Sequence, residues 1–262
     1  MTEPTALDAA HAAMQADPQN DSARLRFFER LADSELFLML TEEAQDENVS
    51  PELFDVADGR FVLAFDREER LAQFAGRPVP YVALSGRVLS GMLAGQGIGL
   101  GLNLETAPSS MLVPAEALGW LAETLQNSPK EVEEKLAEFM PPSGLPDNLL
   151  TALDTKLATA GGLATAAYLV ATKSEAGAQG HLLGFVDVLD GAEPALAKAA
   201  SEALTFSGIE AGAMDVGFFA ASEPAAALLA KVGLRFDLPE PKSVKQVREA
   251  PGSNPDNPPI LK

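Results

Sequence analysis

The run Met140-Pro141-Pro142-Ser143-Gly144-Leu145-Pro146 limits what this chain can fold into more than any other segment. Proline lacks an amide hydrogen and fixes its φ, so this spacing stops helix and strand alike. It cuts the 262 residues into two stretches of ordinary domain size. Residues 1–140 are expected to form one unit and residues 141–238 a second, with a Pro-rich flexible tail over 239–262.

Apolar spacing fills in both units. In the first, it predicts helices over about Thr5–Ala16 and Asp21–Ala32, then a short buried strand from Glu35 to Leu40. Asp58-Gly59 marks a hairpin between strands Leu53–Val56 and Arg60–Phe65. Asp66 with Glu69 reads as a capping box for a helix that ends near Gly76. A strand Tyr81–Leu84, a helical segment Gly86–Ala94 and a strand Ile98–Asn103 follow, then a helix opened by Pro114 with Leu118, Leu121 and Leu125 on one face. A second capping box, Ser128-Pro129-Lys130-Glu131, predicts an acidic connecting helix with Val132, Leu136, Phe139 and Met140 as its stripe.

The second unit reads as a helix (Asp147–Ala160), two strands (Ala166–Thr172 and His181–Leu189), a helix (Pro194–Phe206) and a strand (Met214–Ala221). A helix from Pro224 to Lys231 and a short strand near Leu234–Asp237 complete it. Its middle strands are apolar on both faces, so helices should cover that sheet on at least one side. The class expected is α+β: two small domains, each a mixed α/β sheet packed by helices.

Charge and composition exclude several functions. With 19 basic and 38 acidic residues the net charge is −19, which repels phosphate backbones and anionic lipid surfaces; neither nucleic acid nor membrane is an expected partner. Acidity is concentrated at the front, where residues 1–140 hold 24 acidic and 10 basic side chains. The chain has no cysteine, which removes disulfides, thiolate metal sites and thiol nucleophiles. The N-terminal segment has no basic region followed by an apolar run, and the longest apolar stretch, Leu163–Ala171, is too short to cross a bilayer; a cytoplasmic location is expected.

The most unusual stretch is Gly95-Gln96-Gly97-Ile98-Gly99-Leu100-Gly101-Leu102-Asn103. A dinucleotide fingerprint needs a strand before its glycines and a helix directly after, and here the order is reversed. Strand alternation puts Ile98, Leu100 and Leu102 on one face and Gly97, Gly99, Gly101 and Asn103 on the other. A face without side chains means that something approaches the backbone: a helix or loop of the protein, or else a ligand or partner. Asn103, Ser109 and Ser110, with Arg87 nearby, are candidates to surround a small anion or an amino-acid carboxylate, although such residues also cap and turn chains.

His11 is expected on a helix surface. His181 opens an apolar strand, facing solvent or a carbonyl. Neither has a second ligand at helical or hairpin spacing, so no metal or cofactor is assigned. Trp120 reads as a helix-packing residue, and Met214–Phe219 as a core strand that could line a groove if it lies at a sheet edge.

Several ordered segments resemble the N-terminal domain of SseB-like proteins, a bacterial family labelled for enhanced serine sensitivity. They are Phe61-Val62-Leu63-Ala64-Phe65-Asp66 with Glu68-Glu69-Arg70-Leu71, Tyr81-Val82-Ala83-Leu84 with Gly86-Arg87, Gly99 to Asn103, and Pro108-Ser109 with Met111-Leu112 and Pro114. Ala167-Tyr168-Leu169-Val170 and His181-Leu182-Leu183-Gly184 resemble the C-terminal domain of the same family. The resemblance implies two α/β domains in a cytoplasmic bacterial protein and carries over no catalytic residue. The expected function is a non-enzymatic binding or regulatory protein with its surface around Arg87, Gly97, Gly99, Gly101, Asn103 and Ser109. The alternatives are a binding protein or enzyme for a small metabolite such as an amino acid, and an acidic adaptor for a basic protein partner.

Overall fold

The computed structural model describes residues 3–44, 49–56, 59–127, 136–174, 179–209 and 214–239. They form two mixed sheets, one per domain, each with helices on both faces.

The first domain opens with α1 (Ala6–Ala16) and α2 (Asp21–Asp33). Thr5 and Asp8 form a reciprocal capping box on α1, and the Asn20 side chain accepts the Ala23 amide to start α2. Then come β1 (Glu35–Met39), β2 (Leu53–Val56), β3 (Gly59–Phe65), α3 (Glu68–Ala75), β4 (Tyr81–Ser85) and α4 (Gly86–Leu93). β5 (Ile98–Leu102), β6 (Met111–Val113) and α5 (Ala115–Gln126) complete the unit. The strand order is β4-β1-β3-β5-β6, with β2 also on β3; β3 and β5 run parallel and the other pairs antiparallel.

Period-two alternation divides this sheet into two apolar faces. Leu36, Leu38, Val62, Ala64, Leu100 and Leu102 pack under α1, α2, α4 and α5. Met39, Leu63 and Phe65 pack on the opposite face against Leu71 and Phe74 of the short α3. Gly86 shows how tightly the first face is closed, because a Cβ there would stand 1.8 Å from the Leu31 carbonyl oxygen.

In the second domain, β7 (Leu136–Met140) precedes α6 (Asp147–Leu157), β8 (Ala166–Ser174), β9 (Gln179–Val186) and α7 (Glu193–Phe206). β10 (Asp215–Phe219), α8 (Pro224–Val232) and β11 (Leu234–Phe236) follow. The order is β10-β9-β8-β11, with β7 also on β8; β9 and β10 are parallel and joined through α7. α6 and α7 cover one face and α8 the other.

Most expected elements are present, with four differences. Leu136–Met140 is not the end of a helix in the first unit but a strand of the second sheet, with Phe139 packed near Val170, Leu182 and Leu229. Asp66 does not cap α3, whose N-cap residue Arg67 makes no side-chain cap bond, because the Asp66 carboxylate is taken by Thr5 and Arg70. The three-residue β6 has too little periodicity to be read from sequence. His11 is buried rather than surface, its ring edge-on to Phe27. The capping box at Ser128–Glu131 and the tail beyond Pro239 lie outside the described residues.

Candidate functional site

The glycine face of β5 is filled by the protein itself. A Cβ on Gly99 would meet the Phe61 ring at 2.4 Å and the Val113 carbonyl oxygen at 2.7 Å; one on Gly101 would meet Leu63 and Leu104. Parallel pairing places Phe61 beside Gly99 and Leu63 beside Gly101, so the large side chains of β3 lean over the bare strand. Gly97 stands in the preceding turn at φ 67°, with nothing within 4 Å of a Cβ. Of the two occupants the sequence leaves open, the closely approaching group at Gly99 and Gly101 is the chain's own.

Asn103 and Ser109 do come together, as part of a buried network at the carboxyl ends of the parallel strands β3 and β5. Asn103, fully buried at φ 48°, accepts the Asp66 amide at 3.0 Å and donates to the Ser109 hydroxyl at 2.9 Å. Ser109 in turn donates to the Asp8 carboxylate, which also receives both terminal nitrogens of Arg70 and the Thr5 amide. Arg70 bridges to Asp66 at 2.7 Å, and the Thr5 hydroxyl donates to Asp66 at 2.6 Å. Burial opposes charge on Asp8, but the bonds from Arg70, Ser109 and Thr5 outweigh it and hold its carboxyl well below the usual carboxylate range. The carboxylate that Asn103 and Ser109 could have offered to bind is thus supplied from within, by α1.

Arg87 lies elsewhere. From α4 it reaches across the domain seam to Glu202 on α7, at 2.6 and 3.0 Å, and to Asp33 on α2 at 2.9 Å. Lys156 of α6 meets Asp33 at 2.7 Å and Glu202 at 2.9 Å. Phe206, at the end of α7, is buried in the first domain's core and sits edge-on to Trp120. Sequence spacing could not find this cluster, because its members are separated by up to 173 positions, from Glu29 to Glu202.

The surface left open is the outer edge of β4. Among the described residues, β4 pairs only with β1. Leu40 donates to the Pro80 carbonyl and Gly86 to that of Ser34, so by antiparallel alternation Val82 and Leu84 bond inward. The amides of Tyr81, Ala83 and Ser85 and the carbonyls of Tyr81 and Ala83 therefore point outward, while the Ser85 carbonyl is taken by the first turn of α4. Edge strands are ordinarily protected by a charge, a proline or a bulge, and Tyr81-Val82-Ala83-Leu84-Ser85 contains none of these. Tyr81 (39% exposed) and Ala83 stand on the face that carries α3, with Phe37 edge-on to the Tyr81 ring. The nearby Glu68 carboxylate raises the Tyr81 phenol above its ordinary value, and Glu35, exposed, lies opposite Ser85. Sequence marked Tyr81–Leu84 as a strand; that its neighbour on one side is missing is a property of the whole sheet.

Two open clefts, of about 400 and 490 Å³, lie in the second domain and are lined by none of the six expected site residues. The His181 ring stands 3.1 Å from the Ser143 carbonyl oxygen. Among the described residues no group of three or more His, Cys, Asp or Glu is arranged to hold a metal, and no helix is long and apolar enough to cross a membrane.

In comparison with known proteins, residues 7–120 fit the family model described as the SseB protein N-terminal domain. No curated protein and no solved structure matches the chain. The matched span runs from α1 into α5 and so contains Asp8, Asp66, Arg70, Asn103 and Ser109 of the buried network, the glycine strand and the β4 edge. The first domain is thus similar to the SseB protein N-terminal domain.

Proposed function

We propose that the protein is a non-enzymatic binding protein whose first domain docks an extended, basic segment of a partner protein along the outer edge of β4. The observation that carries this reading is the row of outward backbone groups at Tyr81, Ala83 and Ser85, beside an exposed aromatic face. Such an edge accepts an added strand: main-chain hydrogen bonds give affinity, and alternate side chains are read by the flanking face. Glu35 and Glu68 beside the edge, on a half with 24 acidic and 10 basic residues, favour lysine or arginine on the incoming strand. The same charge disfavours edge-to-edge pairing of two copies. The domain that follows, from β7 onward, is read as the C-terminal domain of SseB-like proteins, and the protein as cytoplasmic.

The test is selection from a displayed random-peptide library on the full chain. Peptides with alternating apolar and basic residues should be enriched, with binding that weakens as salt rises. Ala83→Pro, which removes an outward amide, should abolish binding while the inward ladder to β1 remains. Tyr81→Lys, which keeps the backbone donors but reverses the local charge, should weaken it. Enriched peptides that bind Ala83→Pro as tightly as the parent chain would contradict the reading, as would a library that yields none.

A further inference from the structure

Glu29 on α2 is the odd member of the seam. Its side chain is buried, with the whole residue 1% exposed, and Oε1 has no hydrogen-bond partner. The neighbouring Arg30 reaches only Oε2, at 3.3 Å. The cation facing it from the second domain, Lys156, stays 3.9 Å away, drawn instead to Asp33 and Glu202. Arg87 is likewise held by Glu202 and Asp33. Three carboxylates thus compete for Lys156 and Arg87, and Glu29 is the one left without a close cation across the seam. On its other side α1 brings His11 against Phe27, one turn before Leu31, and holds Asp8 in the Arg70 network. An ionised carboxylate with a bare buried oxygen is strongly disfavoured, whereas a protonated one is tolerated.

We propose that the seam between the two domains is a proton-operated latch, in which Glu29 takes up a proton as α6 and α7 close on α2 and releases it as they part. Burial pushes the Glu29 carboxyl up; Lys156 and Arg30 oppose this without reversing it, and Asp33 adds to it. A group raised in the closed form binds its proton there, so closure is strongest at low pH and weakens as pH rises through the raised value. Glu202 sets the opposite limit. Burial works against its charge, but Arg87 and Lys156 prevail and hold it below its ordinary value, so its contribution is lost as pH falls through that lowered value. Between the two lies the range in which the domains are latched.

The reporter is built in. Trp120, the sole tryptophan, sits on α5 of the first domain in edge contact with Phe28 and, across the seam, with Phe206 of α7. Emission and acrylamide quenching of Trp120 in the full chain, followed from pH 5 upward, should show a red shift and greater quenching with a single midpoint. Glu29→Gln, which keeps the shape of the protonated acid, should remove that titration and leave the emission and quenching of Trp120, 39% exposed in the closed form, the same throughout. The carbon-13 shift of the Glu29 carboxyl in the unmutated chain should titrate at the same midpoint, above the ordinary glutamate range. An unchanging Trp120 signal in the parent chain, the same titration in Glu29→Gln, or a Glu29 carboxyl that titrates in the ordinary range would each overturn the latch.

Discussion

Asp8 fixes the most consequential local arrangement in the first domain. It is 3% exposed and receives Arg70, Ser109 and the Thr5 amide, so the charge is stabilised only while every donor stays in place. Asp8→Asn leaves Arg70 buried with Asp66 as its one remaining carboxylate, and breaking a buried pair in this way costs about 3–5 kcal/mol. Denaturant unfolding of the first domain should show that loss. The pH dependence should change too. A carboxyl held below its unfolded value adds stability above the unfolded value and loses it as pH falls, so Asp8→Asn should flatten acid unfolding below about pH 4. Gly99 gives a second check. A Cβ there overlaps the Phe61 ring and the Val113 carbonyl oxygen, and backbone cannot give as a side chain can. Gly99→Val should destabilise by at least about 1–3 kcal/mol in the same measurement.

Helices and strands with strong periodicity were legible in the sequence, and the reasons for the misses are physical. α1, α2, α5 and α7 carry clear helical stripes, and the β2–β3 pair is marked by Asp58-Gly59 between two apolar runs. Leu136–Met140 misleads because Val132, Leu136, Phe139 and Met140 recur at helical spacing, while the force that decides is pairing with β8 more than thirty residues later. Its Phe139 is part-buried against Val170 and Leu229, so Phe139→Ala should cost about 1–3 kcal/mol in the second domain and leave the Asp8-linked acid transition unchanged. The site was legible in a different proportion. Asn103 and Ser109 read as candidates to surround a carboxylate; in the structure Asn103 donates to Ser109, and Ser109 donates to Asp8, 101 positions earlier. Arg87 carries no local signal of its true partners, since Glu202 and Lys156 come from the other domain.

The molecule as a whole is two mixed sheets joined by a seam that is partly apolar, through Phe206 and Trp120, and partly ionic, through Arg87, Lys156, Asp33 and Glu202. Charge-reversed Arg87→Glu would face Glu202 and Asp33 across that seam and should open it, with greater quenching of Trp120 even at the low pH that closes the parent chain. With its glycine strand covered and its buried polar network closed on itself, the first domain's readiest offer to a partner is the β4 edge. Amide hydrogen exchange, resolved residue by residue in the free full-length chain, reads that edge. Tyr81, Ala83 and Ser85 should exchange rapidly, Val82 and Leu84 slowly, and the three fast amides should become protected when a selected basic peptide is added. Five amides protected alike in the free chain would mean that the edge is already covered, and would remove the basis for the binding function.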